Sequence, residues 1–300
     1  MKVSQLLNQD KVTLSFEVFP PKTSSSYESV AHATQEIAAL RPDFMSVTYG
    51  AGGGTSEHTV NIAADLKKKY DVTVLTHLTC VSSTREHVAA MVKKYKDAGI
   101  ENILALRGDI PEGGAPHSDY HYAAELVRDI KSQGDFCVGG ACYPEGHPES
   151  ANQREDIANL KKKAANKTED ILHLKEKVDA GCEFLTTQMF FDNNIMYNFL
   201  YRIREKGITV PVVAGIMPVT NVKQIKRITS MSGTYLPERF KAIVDRFGDN
   251  PAAMKQAGVI YATEQIIDLI ANGVNHIHVY SMNKPEIAAG IQSSLSEILK

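Results

Sequence analysis

Eight times along its 300 residues, the chain passes from a short β-rich apolar run into a helical segment. The strand signal falls on Val12–Phe19, Phe44–Thr48, Val72–His77, Asn102–Leu106, Phe136–Tyr143, Phe184–Gln188, Val210–Gly215 and His276–Ser281. Helical periodicity falls on Tyr27–Leu40, Ser56–Tyr70, Tyr122–Gln133, Ile195–Lys206, Val222–Met231, Pro237–Phe247, Ala252–Asn272 and from about Pro285 to Leu299. Two further helices carry clear stop signals. One starts at a cap on Ser83 or Thr84 and ends at Gly99, and a Lys-rich one runs from about Asn152 to Ala180 before Gly181. The runs are almost continuously apolar, as strands covered on both faces must be, which argues for a parallel sheet. About 37 residues per unit suits a single (β/α)8 barrel, the TIM-barrel architecture, with extra helices. No Pro- or Ser-rich linker divides residues 1–300, so one domain is expected, and a doubly wound open sheet is the competing architecture.

Polar residues interrupt the runs at one end. Glu17 lies in the first strand, Thr48 and Tyr49 end the second, and His77 the third. Arg107, Gly108 and Asp109 end the fourth, Tyr143 the fifth with His147 beyond it, Gln188 the sixth, and Tyr280 with Asn283 the eighth. In an α/β barrel those are the C-terminal strand ends, where catalytic groups collect. Singly, Glu17 reads as an outward edge carboxylate, His77 as a satisfied core histidine, and the tyrosines as rim packing. Their coincidence at one rim favours a shared site.

Charge narrows the class. Lys plus Arg number 33 and Asp plus Glu 35, a net charge of −2, without the basic excess of a nucleic-acid or membrane-surface binder. No stretch approaches the roughly 18 uninterrupted apolar residues of a membrane span, and the first residues lack a secretory apolar core. Cys80, Cys137, Cys142 and Cys182 form no CxxC pair and read as reduced, mostly buried thiols, so a cytoplasmic small-molecule enzyme is expected. The glycines from Gly50 to Gly54 stop short of a dinucleotide fingerprint because Thr55 occupies the third glycine's place. His276 and His278 share a strand face without a suitably spaced third ligand, so no metal site is expected.

The motif Ser15-Phe16-Glu17-Val18-Phe19-Pro20-Pro21-Lys22 resembles the methylenetetrahydrofolate reductase family. The likeness continues in Ser46-Val47-Thr48-Tyr49-Gly50-Ala51, His77-Leu78-Thr79-Cys80, Leu106-Arg107-Gly108-Asp109 and Tyr143-Pro144-Glu145-Gly146-His147-Pro148-Glu149. It extends through Lys177-Val178-Asp179-Ala180-Gly181, Thr187-Gln188-Met189-Phe190-Phe191-Asp192, Gly215-Ile216-Met217-Pro218-Val219 and Tyr280-Ser281-Met282-Asn283-Lys284. These motifs keep the family's order over almost the whole chain and match its short bacterial form, without a regulatory domain.

The resemblance implies an FAD-dependent barrel enzyme. Such an enzyme reduces 5,10-methylenetetrahydrofolate to 5-methyltetrahydrofolate for methionine synthesis or one-carbon metabolism, with NADH or NADPH reducing the flavin in a ping-pong cycle. It implies Glu17 as the general acid, its pKa raised by burial between Phe16 and Val18 at a water-poor barrel mouth. Asp109 is implied as the carboxylate that stabilises a 5-iminium cation. By the same resemblance FAD contacts fall on Tyr49, Ala51, His77, Arg107, Gly108, Asp109, Ala123, Tyr143, His147, Ser150, Asp170 and Lys177. Thr48 matches a nicotinamide-contacting position, and Asp109, Gln188, Gln224 and Lys284 match folate-contacting ones. Lys284 stands where the family commonly has Arg, and Ile228 where an aromatic residue packs over nicotinamide or pterin. A Lys-rich insertion spans about Asn152–Thr168, between two FAD-contact segments, and a partner-docking surface is the other reading of it. Short members tend to be oligomeric, which implies a homo-oligomer. The alternatives are a folate-dependent methyltransferase barrel and an electron-relay or binding subunit reduced by a protein partner.

Overall fold

A computed structural model describes residues 1–21, 26–49, 56–109, 118–146, 169–232 and 234–300. After a short α1 (Val3–Leu7), strands and helices alternate: β1 (Thr13–Val18), α2 (Tyr27–Ala38), β2 (Phe44–Val47), α3 (Ser56–Tyr70), β3 (Val74–Thr79) and α4 (Arg85–Asp97). There follow β4 (Asn102–Leu106), α5 (Ala123–Ser132) and β5 (Cys137–Cys142). A helix whose described part covers 169–179 (α6) comes next. The remainder is β6 (Phe184–Thr187), α7 (Asn193–Glu205), β7 (Val212–Ile216), α8 (Val222–Ser232), α9 (Glu238–Phe247), α10 (Pro251–Ala271), β8 (His276–Tyr280) and α11 (Pro285–Ser294). The eight strands close into one barrel in sequence order, β8 returning to β1, and every neighbouring pair is parallel. This is the (β/α)8 architecture expected from the alternation, and the open sheet is excluded by the β1–β8 pairing.

Strand parity sorts the side chains into two layers. Leu14, Phe16, Val18, Met45, Val47, Val74, Leu78 and Ile103 pack outward with helix residues such as Ile37, Leu66, Val88 and Ile130. The opposite parity places Phe44, Leu75, Leu104, Cys137, Phe184 and Val213 in a separate cluster inside the barrel, at its N-terminal end. Phe184 reaches across because Gly139 has no Cβ; one there would lie 2.4 Å from the Phe184 ring.

Val3, Leu6 and Leu7 of α1 join that inner cluster and plug the barrel's lower mouth. Asn102 fixes the plug, accepting from the Val3 amide at 2.8 Å and donating to the Met1 carbonyl at 3.1 Å. Five residues are too few for helical periodicity to register, so the sequence reading contains no α1. Its stability comes from burial rather than propensity.

The segment between β7 and β8 holds three helices rather than one. They enclose a satellite core of Phe191, Val219, Ile225, Ile228, Phe240 and Met254. Gly258 sits mid-helix in α10 because a Cβ there would fall 1.7 Å from the Val219 carbonyl oxygen. Asn250 caps α10 by accepting from the Ala253 amide, with Pro251 at the first turn. Thr84, rather than Ser83, caps α4 by accepting from the His87 amide. All four cysteines are buried and unpaired. No described helix is long and apolar enough to cross a membrane.

Candidate active site

The C-terminal strand ends open into a cleft of about 720 Å³. Glu17, Thr48, Tyr49, His77, Arg107, Gly108, Asp109, Ala123, Tyr143, Asp170, Lys177 and Gln188 all line it, joined by Thr186, His278 and Tyr280. Residues separated by most of the chain therefore share one cavity, because barrel closure brings every strand end to the same rim. Ala51, His147 and Ser150, together with the Asn152–Thr168 insertion, lie outside the described residues.

Glu17 is the most deeply placed carboxyl of the cleft, 8% exposed. Phe16 and Val18 are not what buries it: both belong to the outer cluster beneath the helices, and Glu17 faces the other way. Its neighbours are inward-facing groups of adjacent strands. Ser46 is its register partner on β2, His77 Nε2 lies 3.7 Å from Oε2, and His278 Nε2 lies 4.0 Å from it. Burial pushes the Glu17 carboxyl up to about 8, against a smaller downward pull that the Ser46 hydroxyl exerts only where it donates to the carboxylate. Burial pushes His77 down to about 4 and His278 down to about 3, the latter also lowered by His77. The desolvation that keeps the acid protonated keeps both imidazoles neutral, so at neutral pH the cluster holds a proton donor without a buried ion pair.

The walls supply charge and donors. Arg107 and Gly108 leave β4 in a turn where Gly108 adopts φ 89°, and a Cβ there would meet Val81 at 2.7 Å. The Arg107 Nε–H donates to the Gly108 carbonyl at 3.4 Å. Lys177, on α6, donates to the Ala141 carbonyl at 2.5 Å, and burial lowers its pKa. The Tyr49 hydroxyl is 3.0 Å from His87 Nε2. Asp109 is exposed at the rim, so a ligand can reach its carboxylate. Gln188 holds the end of β6, its amide donating to the Cys142 carbonyl at 2.8 Å. The Cys142 thiol is pushed up to about 12 by burial and stays protonated.

Among the described residues, two buried polar atoms of this cleft, His77 Nε2 and Thr186 Oγ1, have no hydrogen-bond partner. Orphaned donors or acceptors inside a cavity are costly unless a ligand pairs with them. With Arg107 and Lys177 at the sides, the site fits a polar ring system carrying an anionic tail, the chemistry of a flavin nucleotide.

Two of the expected folate-contacting residues are absent from this lining. Gln224 Oε1 accepts from the Thr220 amide at 2.8 Å and from the Thr220 hydroxyl at 3.1 Å. Lys284 Nζ donates to the same Thr220 hydroxyl at 3.0 Å. Both side chains thus meet Thr220 in the β7–α8 turn. Ile228 is packed in the satellite core of α8, α9 and α10.

The sequence reading passed over Ser15 and Ser46, and considered His278 only as a metal ligand. His278 is 1% exposed and its ring nitrogens meet hydroxyls, Nδ1 with Ser15 at 2.8 Å and Nε2 with Ser46 at 3.0 Å. His276 Nδ1 pairs with Thr13 at 3.1 Å. The available signal was parity. Thr13, Ser15 and Glu17 alternate with Leu14, Phe16 and Val18, which marks a polar inner face.

Residues 2–296 match the family described as Methylenetetrahydrofolate reductase. The chain is 35% identical over 288 residues to the 5,10-methylenetetrahydrofolate reductase of Pectobacterium carotovorum subsp. carotovorum, covering 96% of this chain and 91% of that one. It is 33% identical to methylenetetrahydrofolate reductase (NADH) 1 of Arabidopsis thaliana, covering 99% of this chain and 50% of the longer plant protein. Among solved structures, an uncharacterized Clostridium thermocellum protein that binds two copies of 5-methyl-5,6,7,8-tetrahydrofolic acid superposes with TM-score 0.62. That pair covers 99% of both chains at 14% identity, a likeness of fold.

Proposed function

From the premise that this chain belongs to the methylenetetrahydrofolate reductase family, we propose that it reduces 5,10-methylenetetrahydrofolate to 5-methyltetrahydrofolate, using FAD reloaded by NADH or NADPH. The observation that carries the reading is Glu17: a carboxyl 8% exposed, pushed up to about 8, at the floor of a cleft lined by the family's motif residues. A methylene bridge between two nitrogens opens only when one nitrogen becomes a leaving group. A carboxylic acid that keeps its proton at neutral pH can deliver it to N10 of the folate. The C–N10 bond then breaks, N10 keeps its pair as a secondary amine, and Glu17 is left as the carboxylate. The positive charge moves to a 5-iminium group, which the Asp109 carboxylate at the rim is placed to stabilise.

The remaining lining residues suit the cofactor. Arg107 and Lys177 would offer cationic donors to a pyrophosphate, and Tyr49, Gly108, Ala123, Tyr143 and Asp170 line the same cleft. The unpaired His77 Nε2 and Thr186 Oγ1 would offer hydrogen-bonding groups to such a ring. When bound and reduced by the nicotinamide donor, FAD would supply the hydride that the iminium carbon accepts. Gln188 orients the pterin from β6, and Thr48 meets the nicotinamide.

Glu17→Gln tests the reading. Under anaerobic mixing, the variant is expected to lose folate reduction while its flavin still bleaches with the nicotinamide donor. Equal loss of both half-reactions, or of neither, refutes Glu17 as the acid. The same mixing with NADH and NADPH separately identifies the donor, and a protein that remains colourless with added FAD refutes the flavin reading.

A further inference from the structure

His278 is a buried histidine that the proposed reaction does not use. It is 1% exposed, stacked on Phe44 with ring centroids 5.6 Å apart, and set edge-on to Tyr280. Both ring nitrogens end on serine hydroxyls, Ser15 at 2.8 Å and Ser46 at 3.0 Å. The Ser15 hydroxyl also donates to the Ile277 carbonyl at 2.9 Å.

A serine has one proton to give. Ser15 spends its proton on Ile277, so its oxygen must accept from His278, which places the ring hydrogen on Nδ1. Nε2 is then a lone pair and draws the Ser46 proton. Ser46 in turn has only lone pairs left for its cross-strand neighbour Glu17. Such an oxygen accepts from a carboxylic acid and repels a carboxylate.

We propose that Ser15, His278 and Ser46 form a one-directional hydrogen-bond chain ending on Glu17 that holds its carboxyl protonated, making Ser46 and His278 positioning residues for the acid. The proposal rests on the reading of Glu17 as the proton donor and adds the device that keeps it loaded. It also reverses the simple expectation for Ser46: a free serine hydroxyl donates to a carboxylate and lowers its pKa, whereas this one is already committed to His278. The titratable groups facing Glu17 are His77 on β3 and His278 and Tyr280 on β8. Burial pushes both histidines down, to about 4 and about 3, and Tyr280 upward. None of them changes charge between pH 6 and 9 on those shifts, so a carboxyl titration in that window belongs to Glu17.

Two measurements on the purified protein test the chain. The first is 15N NMR of histidine-labelled protein, with the His278 ring signals identified by their loss in His278→Gln. Nδ1–H with an unprotonated Nε2 is expected at neutral pH, and an Nε2–H tautomer overturns the proposal. The second follows the protonated carboxyl stretch of Glu17 by infrared difference against Glu17→Gln. Ser46→Ala is expected to move its midpoint down by about one pH unit, the worth of one neutral hydrogen bond. Ser15→Ala, which frees His278 to take the other tautomer and turn Ser46 into a donor, is expected to move it the same way. An upward shift, or none, overturns the chain. Neither measurement needs folate or reduced nicotinamide. An inactive protein with the downward shift would refute the proposed reaction alone, and an active reductase with an upward shift would refute the chain alone.

Discussion

Replacing Glu17 by Gln should make the protein more stable, by an amount that grows with pH. Gln matches the shape of the protonated acid but never ionises. The unfolded carboxyl titrates near 4.5, while burial in the barrel moves the folded one to about 8. Between those values the unfolded chain has released a proton that the native state retains, so wild-type stability falls as pH rises. The stability present below pH 4.5 is lost progressively up to pH 8 and changes no further above it. The displacement of about 3.5 pH units at 1.36 kcal/mol each gives roughly 5 kcal/mol. With Glu17 only 8% exposed, solvent screening removes little of this. Urea unfolding of wild type and Glu17→Gln in parallel, at half-unit steps from pH 4.5 to 9, reads the difference directly. The two should be nearly equal at the acid end and separate by several kcal/mol at the alkaline end, with Gln the more stable. A gap that stays constant with pH, or one that opens in favour of the wild type, would refute the raised acid and with it the catalytic assignment.

Asp109→Asn should cost under about 0.5 kcal/mol of stability, since the side chain is exposed. The same change should slow folate reduction by about 10²- to 10³-fold and flavin loading far less; equal slowing in stopped-flow would assign Asp109 to cofactor binding instead. Gly215→Ala places a Cβ 2.3 Å from the Thr187 carbonyl oxygen and 2.5 Å from the Tyr280 hydroxyl. It should cost about 1–3 kcal/mol and raise KM by displacing Tyr280, which donates to that carbonyl at 2.6 Å; an unchanged melting curve and KM would show that the wall adapts freely. Phe184→Ala should cost about 3–5 kcal/mol in chemical denaturation, because Gly139 opposite has no side chain to fill the void. A loss under about 1 kcal/mol would mean that the inner plug collapses onto the space.

Much of the fold was legible because its determinants are local. The eight apolar runs, the Gly99 and Gly181 stops and the cap at Ser83 or Thr84 depend on neighbours within a few residues. Polar residues at strand ends could be read as a rim once eight units implied closure. The same reading failed where a side chain's meaning depends on distant partners. Phe16 and Val18 flank Glu17 in sequence yet face the helices, while the groups that bury it come from β2, β3 and β8. Gln224 and Lys284 both reach Thr220, a convergence that no single window of sequence displays.

What the sequence determined by itself, then, was the alternation, the parity within each strand and the chemical kind of residue offered at each strand end. Those follow from the two-residue and 3.6-residue periods of the backbone, which any short window displays. Only the closed barrel decided that α1 stoppers its lower mouth, that Ser15, Ser46 and His278 join hands beneath Glu17, and that the acid keeps its proton. Closure staggers the strands by a shear that no single segment encodes, and the stagger selects which inward side chains share a layer. The low dielectric of that layer, absent from any isolated strand, is what turns an ordinary glutamate into an acid at neutral pH.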